Sequence, residues 1–171
     1  MSKRSTDAAP YLTGPAYAVA ALFVLSPLAD VLTSVWPLLL GNPQWRYGAV
    51  GLGANYLISA VFGALGLTAI AAVRGHTRFL KVLAILDLVC ALVLLIATFG
   101  FALDALQMRA SVPKDNPRTV YMFDAGAAKA ALKYLFGAVV LVSLALASRR
   151  AARSMKHADQ EAPVLVREGR A

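Results

Sequence analysis

The sequence predicts an all-α integral membrane protein, a four-helix bundle with both termini on the cytoplasmic side. Three observations predict it. Of 171 residues, 59% are hydrophobic and only 15% charged, with a mean hydropathy of +0.64, which is too apolar for a soluble domain of this size. The apolar residues gather in four runs, each long enough to cross about 30 Å of hydrocarbon as a helix. The basic residues flank these runs unevenly, which is how topology is written into a membrane chain. A net charge of +8 taken alone would suggest nucleic acid, but the lysines and arginines cover no soluble face. No nucleic-acid partner is expected.

Residues 1–15 form a polar N-terminal segment carrying Lys3 and Arg4. The first span covers 16–36 (AYAVAALFVLSPLADVLTSVW). A polar stretch to Gly14 separates it from the basic pair, and no small-x-small cleavage site follows, so it reads as a retained anchor. Pro27 removes a backbone donor in mid-span and frees a carbonyl, which predicts a kink between Phe23 and Pro27. Breakers at Gly41–Gln44 lead to the second span, 47–73. There Gly48, Gly51, Asn55, Ser59, Gly63 and Gly66 recur every three or four residues and share one face, predicted to be the central contact of the bundle.

The RGHTR turn at 74–78 leads to the third span, 79–103, with Ala84, Asp87, Cys90, Ala91 and Thr98 along one stripe. From Asp104 to Tyr121 the charges are mixed (Asp104, Arg109, Lys114, Asp115, Arg118), and PKDNP breaks the chain, so a solvated connection is expected. The fourth span, 126–148, presents Ala127, Ala130, Ala131, Tyr134, Gly137 and Ala138 as its small-residue stripe. Residues 149–171 make a basic tail. RRAARSMK continues the last helix out of the membrane, and mixed charges with Pro163 predict no ordered structure beyond Lys156.

One side of the membrane holds Lys3, Arg4, Arg74, Arg78, Lys81, Arg149, Arg150, Arg153 and Lys156. The other holds Arg46, Arg109, Lys114 and Arg118. The positive-inside rule therefore places both termini in the cytoplasm. Trp36 and Trp45 bracket the first outer loop, where an interfacial aromatic belt is expected.

An ionisable side chain inside a span costs about 2.5–3.5 kcal/mol on insertion scales and normally faces protein with a partner. Asp30 lies six residues before Trp36. Lys133, one turn inside Lys129 on the antiparallel fourth span, falls at similar depth, and Asn55 is in the same outer half. Asp30, Asn55, Lys129 and Lys133 thus form a candidate polar cluster. It reads either as an Asp30–Lys133 pair fixing helix register, with Lys129 snorkelling to the interface, or as an ion, proton or anionic-headgroup site. Asp87 has no basic residue at its depth, and a neutral acid there could bond Thr68 or Ser143. Otherwise it couples protons or docks a basic group of a partner subunit.

The chain has one cysteine, Cys90, and its two histidines, His76 and His157, lie outside the spans. It has no HExxH, GxSxG or Walker sequence and no carboxylate cluster with metal-ligand spacing. No catalytic residue, cofactor or metal is expected.

The segment NPQWRYGAVGL, Asn42 to Leu52, after a span ending in Trp36-Pro37, resembles the first hairpin of small bacterial four-span inner-membrane proteins that have no assigned activity. The resemblance implies a bacterial inner-membrane location. In size and span count the chain is also similar to the small multidrug transporters, whose first-span glutamate would correspond to Asp30, though this chain is longer. It is similar too to the small DoxX-type four-span proteins, without a shared motif. The expected function is non-enzymatic: an accessory or scaffold subunit in the lipid bilayer, working with other membrane subunits or further copies of itself. The alternative is a small proton-coupled transporter, oligomeric, with Asp30 or Asp87 as the titrating group.

Overall fold

The computed structural model describes residues 9–113 and 115–168, with side chains for 11–113 and 115–156. Lys3, Arg4 and Lys114, used above for orientation, lie outside the described residues, as does the side chain of His157. Four helices follow in order: α1 Ala9–Ser34, α2 Pro43–Val73, α3 Thr77–Arg109 and α4 Pro117–Glu168. Each is long and apolar enough to cross a membrane, and there is no strand among the described residues.

The breakers act as caps. Asn42 accepts at Oδ1 from the backbone N–H of Gln44 and Trp45 at 2.9 and 3.3 Å, with Pro43 in the first helical position. The same Asn-Pro pair opens α4, where Asn116 accepts from Arg118 and Thr119 at 3.1 and 3.4 Å. Both follow one rule: the capping side chain takes an orphan N–H, and proline sits where an N–H is not needed. Helix α2 ends in a Schellman motif. The N–H of Gly75 meets the Ala72 carbonyl at 3.2 Å and that of His76 the Ala71 carbonyl at 2.9 Å, a geometry that needs φ of +68° at Gly75.

The helices overrun the expected spans. Helix α1 begins at Ala9, so residues 9–15 are not a separate segment, and α3 extends to Arg109. The connection between α3 and α4 is therefore short, and Asp104 and Arg109 are helical residues. Helix α4 starts at Pro117 and runs unbroken through the tail to Glu168, where disorder beyond Lys156 was expected. Pro27 is buried inside a continuous α1. The carbonyl it frees, that of Phe23, accepts from Ser59 Oγ on α2 at 3.4 Å. The neighbouring helix thus supplies the donor that proline lacks.

Helices α2, α3 and α4 pack mutually, whereas α1 packs along α2 only, apart from Tyr17. Tyr17 bonds His76 Nδ1 at 2.8 Å and meets Phe79 edge-on at 5.5 Å, fixing α1 to the α2–α3 turn. The small-residue face of α2 is therefore divided. Ser59, Gly63 and Gly66 take α1: a Cβ on Gly63 would come within 2.6 Å of Val24 Cγ2 and 2.8 Å of the Ala20 carbonyl. Gly48 and Gly51 face open space. The three-helix core uses the opposite side of α2, through Ala54, Thr68 and Ala71.

The core is layered along its length. Near the α2–α3 turn, Ala71, Leu80, Leu83 and Ala152 pack together. Midway, Ala91, Ala138, Leu141 and Leu144 do so. Towards the end that carries the α1–α2 and α3–α4 connections, called here the loop end, Ala54, Phe101, Ala130 and Tyr134 form the third layer.

Candidate functional site

The polar residues of the spans fall into three groups: an open face, a loop-end lattice and a buried layer. Lys133 Nζ donates to Asn55 Oδ1 at 3.0 Å, joining α4 to α2. It does not meet Asp30, because α1 has no packing contact with α4. The Asp30 carboxylate is exposed and makes no ion pair or hydrogen bond among the described residues. Thr33, three residues on, bonds the Ala29 and Asp30 carbonyls at 2.9 and 3.1 Å and not the carboxylate. Lys129 is exposed and likewise unpaired among the described residues.

Helical periodicity places Asp30 and Asn55 in line with the two walls of one groove. A groove of about 650 Å³ runs between α1 and α2, walled by Val19 and Phe23 on one helix and Phe62 and Gly66 on the other. Asp30 is seven residues beyond Phe23 and Asn55 seven before Phe62, so each continues its wall towards the loop end. Lys133 reaches Asn55 from the far side, with Lys129 one turn away on the same face of α4. Of the four residues, Lys133 and Asn55 are joined by a hydrogen bond, and Asp30 and Lys129 stand exposed.

The loop end holds a lattice that the sequence reading missed. Arg46 Nε and Nη2 donate to the two oxygens of Asp104 at 2.9 and 2.5 Å, and Nη1 donates to the Leu40 carbonyl at 2.8 Å. Asp104 is buried, its side chain 6% exposed. Arg109 forms the same two-pronged pair with Asp124 of α4, at 2.7 and 2.8 Å. Between the two pairs, the Tyr47 ring of α2 stacks on Phe101 of α3 at 5.0 Å and on Phe123 of α4 at 5.2 Å. Below them the Tyr134 hydroxyl donates to the Val50 carbonyl at 2.7 Å. The signals were legible in part: Asp104 lies three residues after Phe101 and seventeen after Asp87, on the buried face of α3 once that helix is extended.

The third group is Asp87 with its surroundings. Asp87 is buried at the centre of the core-facing side of α3, and its Oδ2 has no hydrogen-bond partner. Neither expected partner bonds it. Ser143 is exposed and bonds the Val139 carbonyl at 2.8 Å, while Thr68 is buried with Oγ1 unpartnered. Cys90, from the same stripe, is exposed.

No cluster of metal-ligating side chains occurs among the described residues. Comparison with known protein families, with characterised proteins and with solved structures returns no match.

Proposed function

We propose that this chain is a non-enzymatic multi-pass membrane protein that serves as an accessory or scaffold subunit, with α1 and the open α1–α2–α4 face as its docking surface. The observation that carries the reading is the pairing state of the charges in and beside the spans. Arg46, Asp104, Arg109, Asp124 and Lys133 all find partners within the chain. Asp30 and Lys129, like the buried Asp87, do not; Asp30 and Lys129 stand exposed on helices that carry exposed apolar residues such as Phe23 and Phe136. A charge in that setting costs several kcal/mol unless something outside the chain answers it. A neighbouring membrane helix bearing complementary groups does so, whether from another subunit or from a second copy. The uneven basic flanks support an inner-membrane location with both termini cytoplasmic.

Purification from the source membrane in a mild detergent, with particle mass and composition, tests this. Stoichiometric co-purification of other membrane proteins, or a defined homo-oligomer, supports it, and Asp30→Asn should weaken either. A monomeric particle carrying only lipid contradicts it. The second reading, a proton-coupled transporter, is favoured by the buried, unbonded Asp87. Proton flux in proteoliposomes that is abolished by Asp87→Asn would put it first.

A further inference from the structure

The core contains a polar layer, of which the transporter reading uses Asp87 alone. On α2, Thr68 lies between Ala64 and Ala71. On α3, Asp87 lies between Leu83 and Ala91. On α4, Ser148 lies between Leu144 and Ala152. The flanking residues belong to two adjacent apolar layers of the same three-helix core, so the three polar residues occupy one level between them. Their exposures are 8%, 5% and 0%. Thr68 Oγ1, Asp87 Oδ2 and Ser148 Oγ are all buried and all lack a hydrogen-bond partner.

That arrangement is unusual in two respects. Buried polar atoms in native proteins are ordinarily satisfied, and three orphans from three helices at one level call for a common explanation. Serine and threonine within helices ordinarily bond the carbonyl one turn back, as Thr98 does to Leu94 at 2.7 Å and Ser143 to Val139 at 2.8 Å. Thr68 and Ser148 make no such bond, and their oxygens are given to the core instead.

We propose that Thr68, Asp87 and Ser148 form an internal binding site for a single monovalent cation of the sodium class. Hard oxygen donors suit hard cations. Charge decides the valence: one carboxylate neutralises one positive charge, whereas a divalent ion would leave a net charge in a layer with apolar floors above and below. The basic residues nearest in sequence, Arg74, Lys81 and Arg149, are not among the buried core residues. A proton on Asp87 would also neutralise the layer, but its single O–H can serve only one of the two hydroxyl oxygens; a cation takes all three oxygens as ligands. The site joins α2, α3 and α4 at one level and does not depend on the docking function of α1.

The test is the thermal unfolding midpoint of the full chain in detergent, with sodium chloride replacing choline chloride at constant ionic strength. The midpoint should rise with sodium and saturate, since a ligand of the folded state stabilises by mass action. Asp87→Asn should abolish the sodium dependence. Thr68→Val and Ser148→Ala should each weaken the apparent sodium affinity by about tenfold, the scale of one lost ligand to a charged group. Equal midpoints in sodium and choline would overturn the proposal, and so would a sodium response retained by Asp87→Asn. Where Asp87→Asn does not fold, the two hydroxyl variants decide, and an unchanged sodium response in both overturns it.

Discussion

Arg46 and Asp104 stand 58 residues apart in the chain and meet head to head across α2 and α3, two nitrogens of one on two oxygens of the other. The pair is asymmetric: the arginine side chain is 36% exposed and the aspartate 6%. Removing the arginine therefore strands a buried carboxylate, whereas removing the carboxylate leaves a cation that can turn to the interface. Arg46→Ala should lower folded yield and unfolding midpoint more than Asp104→Asn. The double variant Arg46→Ala with Asp104→Asn should recover much of what Arg46→Ala alone loses. Equal losses in the two single variants would mean that the burial asymmetry carries no weight.

The contact of α2 with α4 depends on a glycine facing a tyrosine. A Cβ on Gly53 would lie 2.6 Å from the Tyr134 hydroxyl oxygen, and the next atom of that ring is 3.9 Å away. The ring is rigid and its hydroxyl is held on Val50 O, so Gly53→Ala should cost about 1–3 kcal/mol as an overpacked contact. Tyr134→Phe removes one hydrogen bond, about 1 kcal/mol. With the hydroxyl gone the added methyl fits, so the double variant should be clearly more stable than the sum of the two predicts. A urea or thermal double-mutant cycle reads this directly. Gly51→Ala, which meets only open space, is the control and should be near neutral.

Ser59 and Pro27 are coupled through a third residue. The serine hydroxyl serves the Phe23 carbonyl only because proline provides no N–H for it. Ser59→Ala should cost about 0.6 kcal/mol, the ordinary size of an interhelical bond in a membrane protein. In a Pro27→Ala background the helix satisfies its own carbonyl, and the same serine substitution should have no measurable effect. An equal cost in both backgrounds would show that the bond does not depend on the proline.

Four apolar runs, the breakers between them and the capacity of each helix to cross a bilayer were legible in the sequence, because hydropathy and proline positions act locally. Helix ends were less so. The apolar run of α3 ends at Leu103, where charge begins, yet the Asp104 carboxylate is paired with Arg46 and the helix continues past it. The partner of a charge is a tertiary fact, invisible to periodicity. The same limit explains the Asp30–Lys133 expectation, which rested on equal depth. Depth is a property of one helix, and adjacency belongs to the bundle. Ser148 carries no signal of burial, because it closes the apolar run beside Arg149, where a serine reads as the edge of a span.

The separation of Asp30 from Lys133 makes a distinction that a cycle can measure. Lys133 bonds Asn55, so Lys133→Gln and Asn55→Leu should be non-additive, with a coupling of about 0.6 kcal/mol in the unfolding of the isolated chain. Lys133→Gln and Asp30→Asn should be additive, because α1 has no packing contact with α4. Asp30→Asn alone should leave the purified chain as stable as before or slightly more so, since it removes an unpaired charge from an apolar face. Its effect belongs to assembly: the same variant should lose co-purifying membrane partners, or fall from a homo-oligomer to smaller particles. Lys129→Gln should do likewise. Coupling between Asp30 and Lys133 in the isolated chain, with assembly unaffected, would return the pair to a purely internal role and remove the support for α1 as a docking surface.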